Sequence, residues 1–262
     1  METSDIVWEV KKNAIRHMIQ SGKRSDGRGL DEYRKIEFIE NYVPKAEGSC
    51  LVKIGDTQVL VGVKMETGEP YPDSPEKGNL STSCELVPLA SPDFNAGPPD
   101  EESIETARVV DRGIRESKMI DFEKLCIEEG KSVWTVMVDL HILDHDGNLI
   151  DAASMAAVKA LLNTKMPKLE GDKVNYKERG ENLAVREKPV SSSFVKINGT
   201  ILLDPTLEEE KVMDAKLTIV TTGNGEICAM QKSGDGSFNR GEIEKMIETA
   251  IKRGKEIREN FQ

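Results

Sequence analysis

The stretch VWTVMVDLHILDHDGNLIDAASMAAVKALLNTKM, residues 133–166, decides the class of fold. Its first part alternates. Trp134, Val136, Val138, Leu140 and Ile142 fall on one side, the pattern of a strand with a buried face. Asp144-His145-Asp146-Gly147 then turns the chain. From Ala152 to Met166 the pattern becomes helical and alanine-rich, which suits close packing. A two-residue period that gives way to a helix after a tight turn predicts an α+β unit.

The same grammar extends in both directions. Upstream, CLVKIGDTQVLVGVKME (50–66) is two β-rich runs around Gly55-Asp56-Thr57, a hairpin pattern. LSTSCELVPLA (80–90) is a further strand candidate, and residues 101–118 read as a helix. Residues 66–79 and 91–100 are rich in Pro, Gly and acids and read as loops. Ile6 to Ile19 is an amphipathic helix, with Trp8, Ile15 and Ile19 at helical spacing and Lys11, Lys12 and Arg16 as polar counterparts. Downstream, Leu169 to Lys188 is polar and charged. Beyond it come SFVKINGTILLDP (193–205), with an Asn198-Gly199 hairpin, and a second hairpin around Gly223-Asn224-Gly225. A long final helix carries an apolar stripe of Ile243, Ile247, Ala250, Ile251 and Ile257. Strands then helix, twice over, predicts two lobes of mixed β-sheet packed with helices. The expected divisions are 1–30 (N-terminal helix and arm), 31–170 (first domain), 171–188 (polar connector) and 189–262 (second domain).

Composition limits the function. The 262 residues carry 36 Lys and Arg against 47 Asp and Glu, a net charge of −11. Such a field repels phosphate, so any contact with RNA must come from a local basic patch or one completed by a partner. The longest run without a charged residue, Leu217 to Gly225, is far short of the ~18 apolar residues of a membrane span. No basic-then-apolar secretory leader is visible. Cys50, Cys84, Cys126 and Cys228 are scattered, which predicts a reducing, cytoplasmic setting. His141 and His145 have metal-pair spacing only on a helix, and His141 lies in a strand-like run, so no metal is expected. No phosphate loop, nucleophile elbow or zinc motif occurs, and no cofactor is expected.

Two clusters remain. On a helix turning about 100° per residue, Arg112 falls about 40° and Arg115 about −20° from Arg108, opposite Ala107, Val110 and Ile114. Three guanidiniums in a line suit phosphate, because each planar fork donates parallel hydrogen bonds. Glu105, Asp111 and Glu116 are spaced to pair with them, so a salt-bridged solvent face accounts for the spacing as well. Asp204, Glu208, Glu209, Glu210 and Asp214 form an acidic group that suits either Mg²⁺ or a solvated loop.

RSDGRGLDEYRKI (24–36), GSCLVKIGDTQVLVGV (48–63), ETARVVDRGIRES (105–117), DLHILDHDGNLIDAASMAAVKAL (139–161) and LLDPTLEEEKVMDAKLTIVTTGNGEI (202–227) together resemble the RNase PH family of phosphorolytic 3′→5′ exoribonucleases. Within it the chain is most similar to the non-catalytic, 42-type ring subunits of archaeal exosomes. The resemblance spans about Gly22 to Arg258 and implies the RNase PH-like fold.

Active members hold the attacking phosphate with a loop reading roughly D-G-G-[ST]-R. Here Asn148, Leu149 and Ile150 stand where the second Gly, the hydroxyl and the Arg would be. Leu and Ile cannot hydrogen-bond an anion, and Asp151 repels one. Asp214 aligns with the general acid of active members, but an acid with no bound nucleophile makes no phosphorylase. The resemblance therefore implies no catalytic residue in this chain. It implies a hexameric ring of three heterodimers with a catalytic RNase PH-like partner, S1/KH-type RNA-binding cap proteins, and Arg108, Arg112 and Arg115 facing RNA. Two rivals are a self-sufficient phosphate-dependent exoribonuclease with an atypical loop, and a homomeric RNA-binding ring.

Overall fold

The computed structural model describes residues 3–171 and 173–261, with side chains from residue 10 onward except Lys173. Helix α1 (Thr3–Gln20) contains the expected Ile6–Ile19 segment and buries Ile15 and Ile19. The side chain of Trp8 lies outside the described residues.

The first lobe is a six-stranded sheet of β1 (Ile36–Glu40), β2 (Gly48–Ile54), β3 (Thr57–Gly68), β4 (Asn79–Leu86), β5 (Cys126–Glu128) and β6 (Ser132–Asp144). Its order is β1-β2-β3-β6-β4, with β5 also on β6. The sheet is mixed, because β4 runs parallel to β6 and the other pairs are antiparallel. The alternating residues of β6 point inward, with Val136, Val138, Leu140 and Ile142 fully buried. Two helices belong to this lobe, α2 (Glu101–Glu116), capped by Asp100 accepting from the Ser103 N–H, and α3 (Leu149–Leu162).

The second lobe follows a hairpin, β7 (Lys165–Glu170) and β8 (Lys173–Asn182). Strands β9 (Val190–Ile197), β10 (Thr200–Leu203), β11 (Ala215–Thr221) and β12 (Ile227–Ser233) form an antiparallel sheet ordered β10-β9-β11-β12. Helix α4 (Leu207–Val212) interrupts it, and α5 (Arg240–Arg258) packs on β9 and β11. Asn198 and Gly199 both take positive φ, 50° and 84°, in the two-residue turn between β9 and β10. That backbone suits Asn-Gly and matches strand twist.

Helix α3 joins the lobes. It packs on β2 and β3 on one side and on β9 on the other. It is buried from Leu149 to Leu161, and its alanines let the sheets approach. Gly48 completes the fit, since a Cβ there would meet the Ala160 carbonyl at 2.3 Å.

Two sequence expectations need correction. The α3 helix begins at Leu149, not Ala152, because Asn148 in the left-handed conformation already starts it. It also ends at Leu162, where Thr164 folds its hydroxyl back to the Ala160 carbonyl, so that Met166 lies in β7. The polar stretch 171–188 carries β8. Arg179 fixes this hairpin to the first lobe by donating to the carbonyls of Pro44, Ala46 and Glu47. With no face buried, β8 lacks the apolar alternation that marks a strand.

Candidate nucleic-acid interface and a filled anion loop

The loop between β6 and α3 is shaped by two left-handed residues, Gly147 (φ 86°) and Asn148 (φ 56°). Gly147 packs against α4, where a Cβ would meet the Leu207 nitrogen at 2.4 Å. Asn148 is fully buried and its amide bridges two carboxylates, donating to Asp151 (2.9 Å) and Asp204 (2.7 Å). Leu149 and Ile150 are buried in the first turn of α3. An isolated helix N-terminus attracts anions. Here the first turn of α3 already carries a carboxylate of the protein, Asp151.

Asp151 accepts from Asn148, from the Ser193 N–H (2.9 Å) and hydroxyl (2.8 Å), and from the Tyr33 hydroxyl (2.9 Å). Asp204 accepts from the Arg34 N–H, Nε and Nη2 at 2.8, 2.9 and 2.8 Å, and from Arg28 at 2.8 Å. Burial alone raises Asp204, but the hydrogen bonds and charge of Arg34 hold it below the ordinary carboxylate range. Arg34 also grips the Asp146 carbonyl at 2.6 Å. The guanidiniums next to the loop are therefore committed to internal anions.

Asp151 carries a pH signature. Burial pushes its carboxyl up to about 6, against four donors that favour the charged form. The folded state thus holds this proton more tightly than the unfolded chain. Its contribution is full below the ordinary value of 3.8 and is lost as pH rises through about 6. We expect the stability of the native chain, relative to Asp151→Asn, to fall between about pH 4 and 7 in urea titrations. Parallel profiles over that range would refute the assignment.

Beside the loop lies a cleft of about 330 Å³, lined among others by Glu102, Glu105, Glu210, Lys216, Leu149 and Ile150. Lys216 is neutralised by Glu210 at 2.5 Å, and Lys211 by Asp93 at 2.7 Å. Burial and the neighbouring Glu210 push Glu102 up. His145 stacks on Phe94 at 5.2 Å and is pushed down by burial, toward the neutral form. What remains is a surplus of carboxylates around two aliphatic side chains, an environment hostile to phosphate.

Asp214 does not line this cleft. Its carboxylate accepts from the Asn198 N–H (2.7 Å) and from Arg16 (3.4 Å). The other acids of its sequence cluster are also individually matched, Glu208 with Lys11 and Glu209 with Arg24. No group of three or more potential metal ligands occurs among the described residues. His141 sits in β6 beside Glu85, apart from His145.

The arginines are brought together. Arg108, Arg112 and Arg115 are exposed and line one open cleft of about 310 Å³ with Thr82, Asp111 and Glu116. They differ in freedom. Arg115 is tied to Asp111 (2.6 Å) and the Leu80 carbonyl (2.6 Å), with its guanidinium 5.9 Å from the Phe122 ring centre. Arg112 donates only to the neutral amide of Gln231, at 3.3 Å. Among the described residues Arg108 has no hydrogen-bond or ion-pair partner. The pairs Glu105–Arg108 and Arg112–Glu116, allowed by spacing, do not form.

Family models match both lobes: "3′ exoribonuclease family, domain 1" over residues 32–167 and "domain 2" over residues 188–253. The chain belongs to the 3′ exoribonuclease, or RNase PH, family. It is 48% identical to the exosome complex component Rrp42 of Thermococcus kodakarensis, over 99% of this chain and 97% of that one. It is 49% identical to the Rrp42 of Archaeoglobus fulgidus, over 98% of each. Among solved structures, it matches a chain of the Archaeoglobus fulgidus exosome with RNA bound to the active site (TM-score 0.91, 48% identity, 98% and 100% coverage). It also matches a chain of an archaeal exosome core (TM-score 0.89, 46% identity, 99% of each chain).

Set in the RNase PH fold, the residues that the sequence reading missed are the partners of the loop. Arg34, Tyr33 and Ser193 come from segments far apart in the chain and meet the loop's Asp151 or Asp204, which Asn148 bridges. The only local signal was the arginine-rich RSDGRGLDEYR, residues 24–34, whose spacing suggested no partner.

Proposed function

We propose that this RNase PH-family chain is a non-catalytic ring subunit of an exosome, a phosphorolytic 3′–5′ RNA-degrading complex. It completes a hexameric ring of three heterodimers, helps shape the active site of a catalytic RNase PH-like partner, and lends Arg108 and Arg112 to the RNA path. S1/KH-type cap proteins bind the assembled ring, which works in the cytoplasm. The two lobes divide near residues 171–188.

The observation that carries the reading is the filled anion loop. Asn148, Leu149 and Ile150 are buried, Asp151 sits at the helix start, and Arg34 is spent on Asp204 and Asp146. The names of the relatives, matched over nearly the whole chain, support membership of an exosome. The same loop speaks against a self-sufficient enzyme. Arg115, held by Asp111 and Leu80, contributes less to RNA than the other two arginines.

The arginine assignment has a direct test. Arg108→Glu with Arg112→Glu leaves Ala107, Val110 and Ile114 in the core, so the ring should assemble. RNA affinity of the assembled ring should fall about tenfold or more, with a salt slope lower by about one for each lost contact. Unchanged affinity in a normally assembled ring would make the arginines a solvated surface.

A further inference from the structure

We propose that Gln231 is a positioning residue that insulates the arginine face of α2 from Glu105. The proposal rests on the reading of Arg108 and Arg112 as RNA contacts and explains how they stay available. At about 100° per residue Glu105 lies about 60° from Arg108, on the same side of the helix, three residues before it. That spacing ordinarily gives an ion pair. It does not form here, because the Gln231 Nε2 donates to Glu105 Oε1 at 3.2 Å.

The same side chain accepts from Arg112 Nη1 at 3.3 Å through its Oε1. One neutral amide thus stands between a carboxylate and a guanidinium. It satisfies a hydrogen bond of each and cancels the charge of neither. A Glu at this place would neutralise Arg112, and an apolar residue would release Glu105.

The amide is held in place by the sheet. Gln231 lies on β12 opposite Thr218 of β11, which is buried and hydrogen-bonded to Ser193 at 2.8 Å. Strand β12 packs on α2, so the second lobe sets the electrostatics of a helix in the first. Arg115 shows the alternative, since the Thr82 hydroxyl meets only Asp111 Oδ1 (3.1 Å), no amide stands between the two charges, and Oδ2 pairs with Arg115 at 2.6 Å.

The test measures binding of a fluorescent single-stranded oligoadenylate RNA to the ring assembled with its catalytic partner, across a salt series. Gln231→Ala should weaken binding by about two- to fivefold at low salt, the range of an exposed ion pair, and the loss should fade as salt rises. Gln231→Glu, nearly isosteric, should weaken it further and lower the salt slope by about one. In a Glu105→Gln background Gln231→Ala should have no effect, because no carboxylate is left to release. A Gln231→Ala variant that binds as well as the native protein overturns the proposal. So does a loss that persists unchanged beside Glu105→Gln, since the role would then be structural. If Arg108→Ala with Arg112→Ala leaves binding intact, the RNA-contact reading itself fails, a result separate from either of these.

Discussion

Replacing Arg24 with alanine is expected to lower the stability of the chain by about 3–5 kcal/mol, the cost of stranding one member of a buried ion pair. Arg24 is 3% exposed and Glu209 2%. The guanidinium meets the carboxylate through two parallel bonds, Nε to Oε1 at 2.9 Å and Nη2 to Oε2 at 2.6 Å. It also donates to the carbonyls of Leu203 and Asp204, at 2.8 and 2.7 Å. The arm after α1 is thereby fixed to the segment between β10 and α4. Removing the arginine leaves a buried anion without its cation and takes one donor from each of the two carbonyls, of which Asp204 keeps Arg28 at 3.2 Å.

The controls separate charge from packing. Glu209→Gln alone should also destabilise, because it leaves Arg24 buried without its anion and weakens the capping box on Thr206. Arg24→Met with Glu209→Met should recover much of the loss, since neither charge then remains buried. Urea midpoints at pH 7 measure all three. A loss below about 1 kcal/mol for Arg24→Ala, the level of a surface pair, would show that water reaches the network.

Legibility in the sequence followed periodicity. Strand β6 was readable because one face is buried and the other is not, and the Asn198-Gly199 turn because its backbone favours those two residues. Strand β8 was hidden, because a two-stranded hairpin with polar residues on both faces has no apolar period. The start of α3 was misplaced for a different reason. Leu149 and Ile150 follow a turn-forming Asp-Gly-Asn and carry no helical signal of their own, yet they are core residues of its first turn.

The site was legible as a line of arginines and a changed loop, and no further. Helical spacing placed Arg108, Arg112 and Arg115 together, but it also allowed a Glu105–Arg108 ion pair, whereas Glu105 accepts from Gln231, a residue 119 positions away from Arg112 that Arg112 also meets. In the same way, nothing local indicates that Arg34 would spend its charge on Asp204, 170 residues downstream. Tertiary partners of charged residues decide whether a charge is spent or available, and spacing does not encode them.

The second large effect concerns catalysis. A bound phosphate would have to replace Asp151, Asn148 and two buried aliphatic side chains in a space already packed, beside Glu102, Glu105 and Glu210. Each charge-assisted hydrogen bond that active family members supply and this loop lacks is worth about 1.5–3 kcal/mol. Asp214 is bonded to the Asn198 N–H and to Arg16. The measurement that tests the account most directly is phosphate-dependent release of nucleoside diphosphates from single-stranded RNA, with this chain alone and with it mixed with a catalytic RNase PH-like partner. The account predicts no release by the chain alone, and release by the mixture that is unaffected by Asp214→Ala in this chain. Release by the purified chain alone that requires phosphate and is abolished by Asp214→Ala would contradict it.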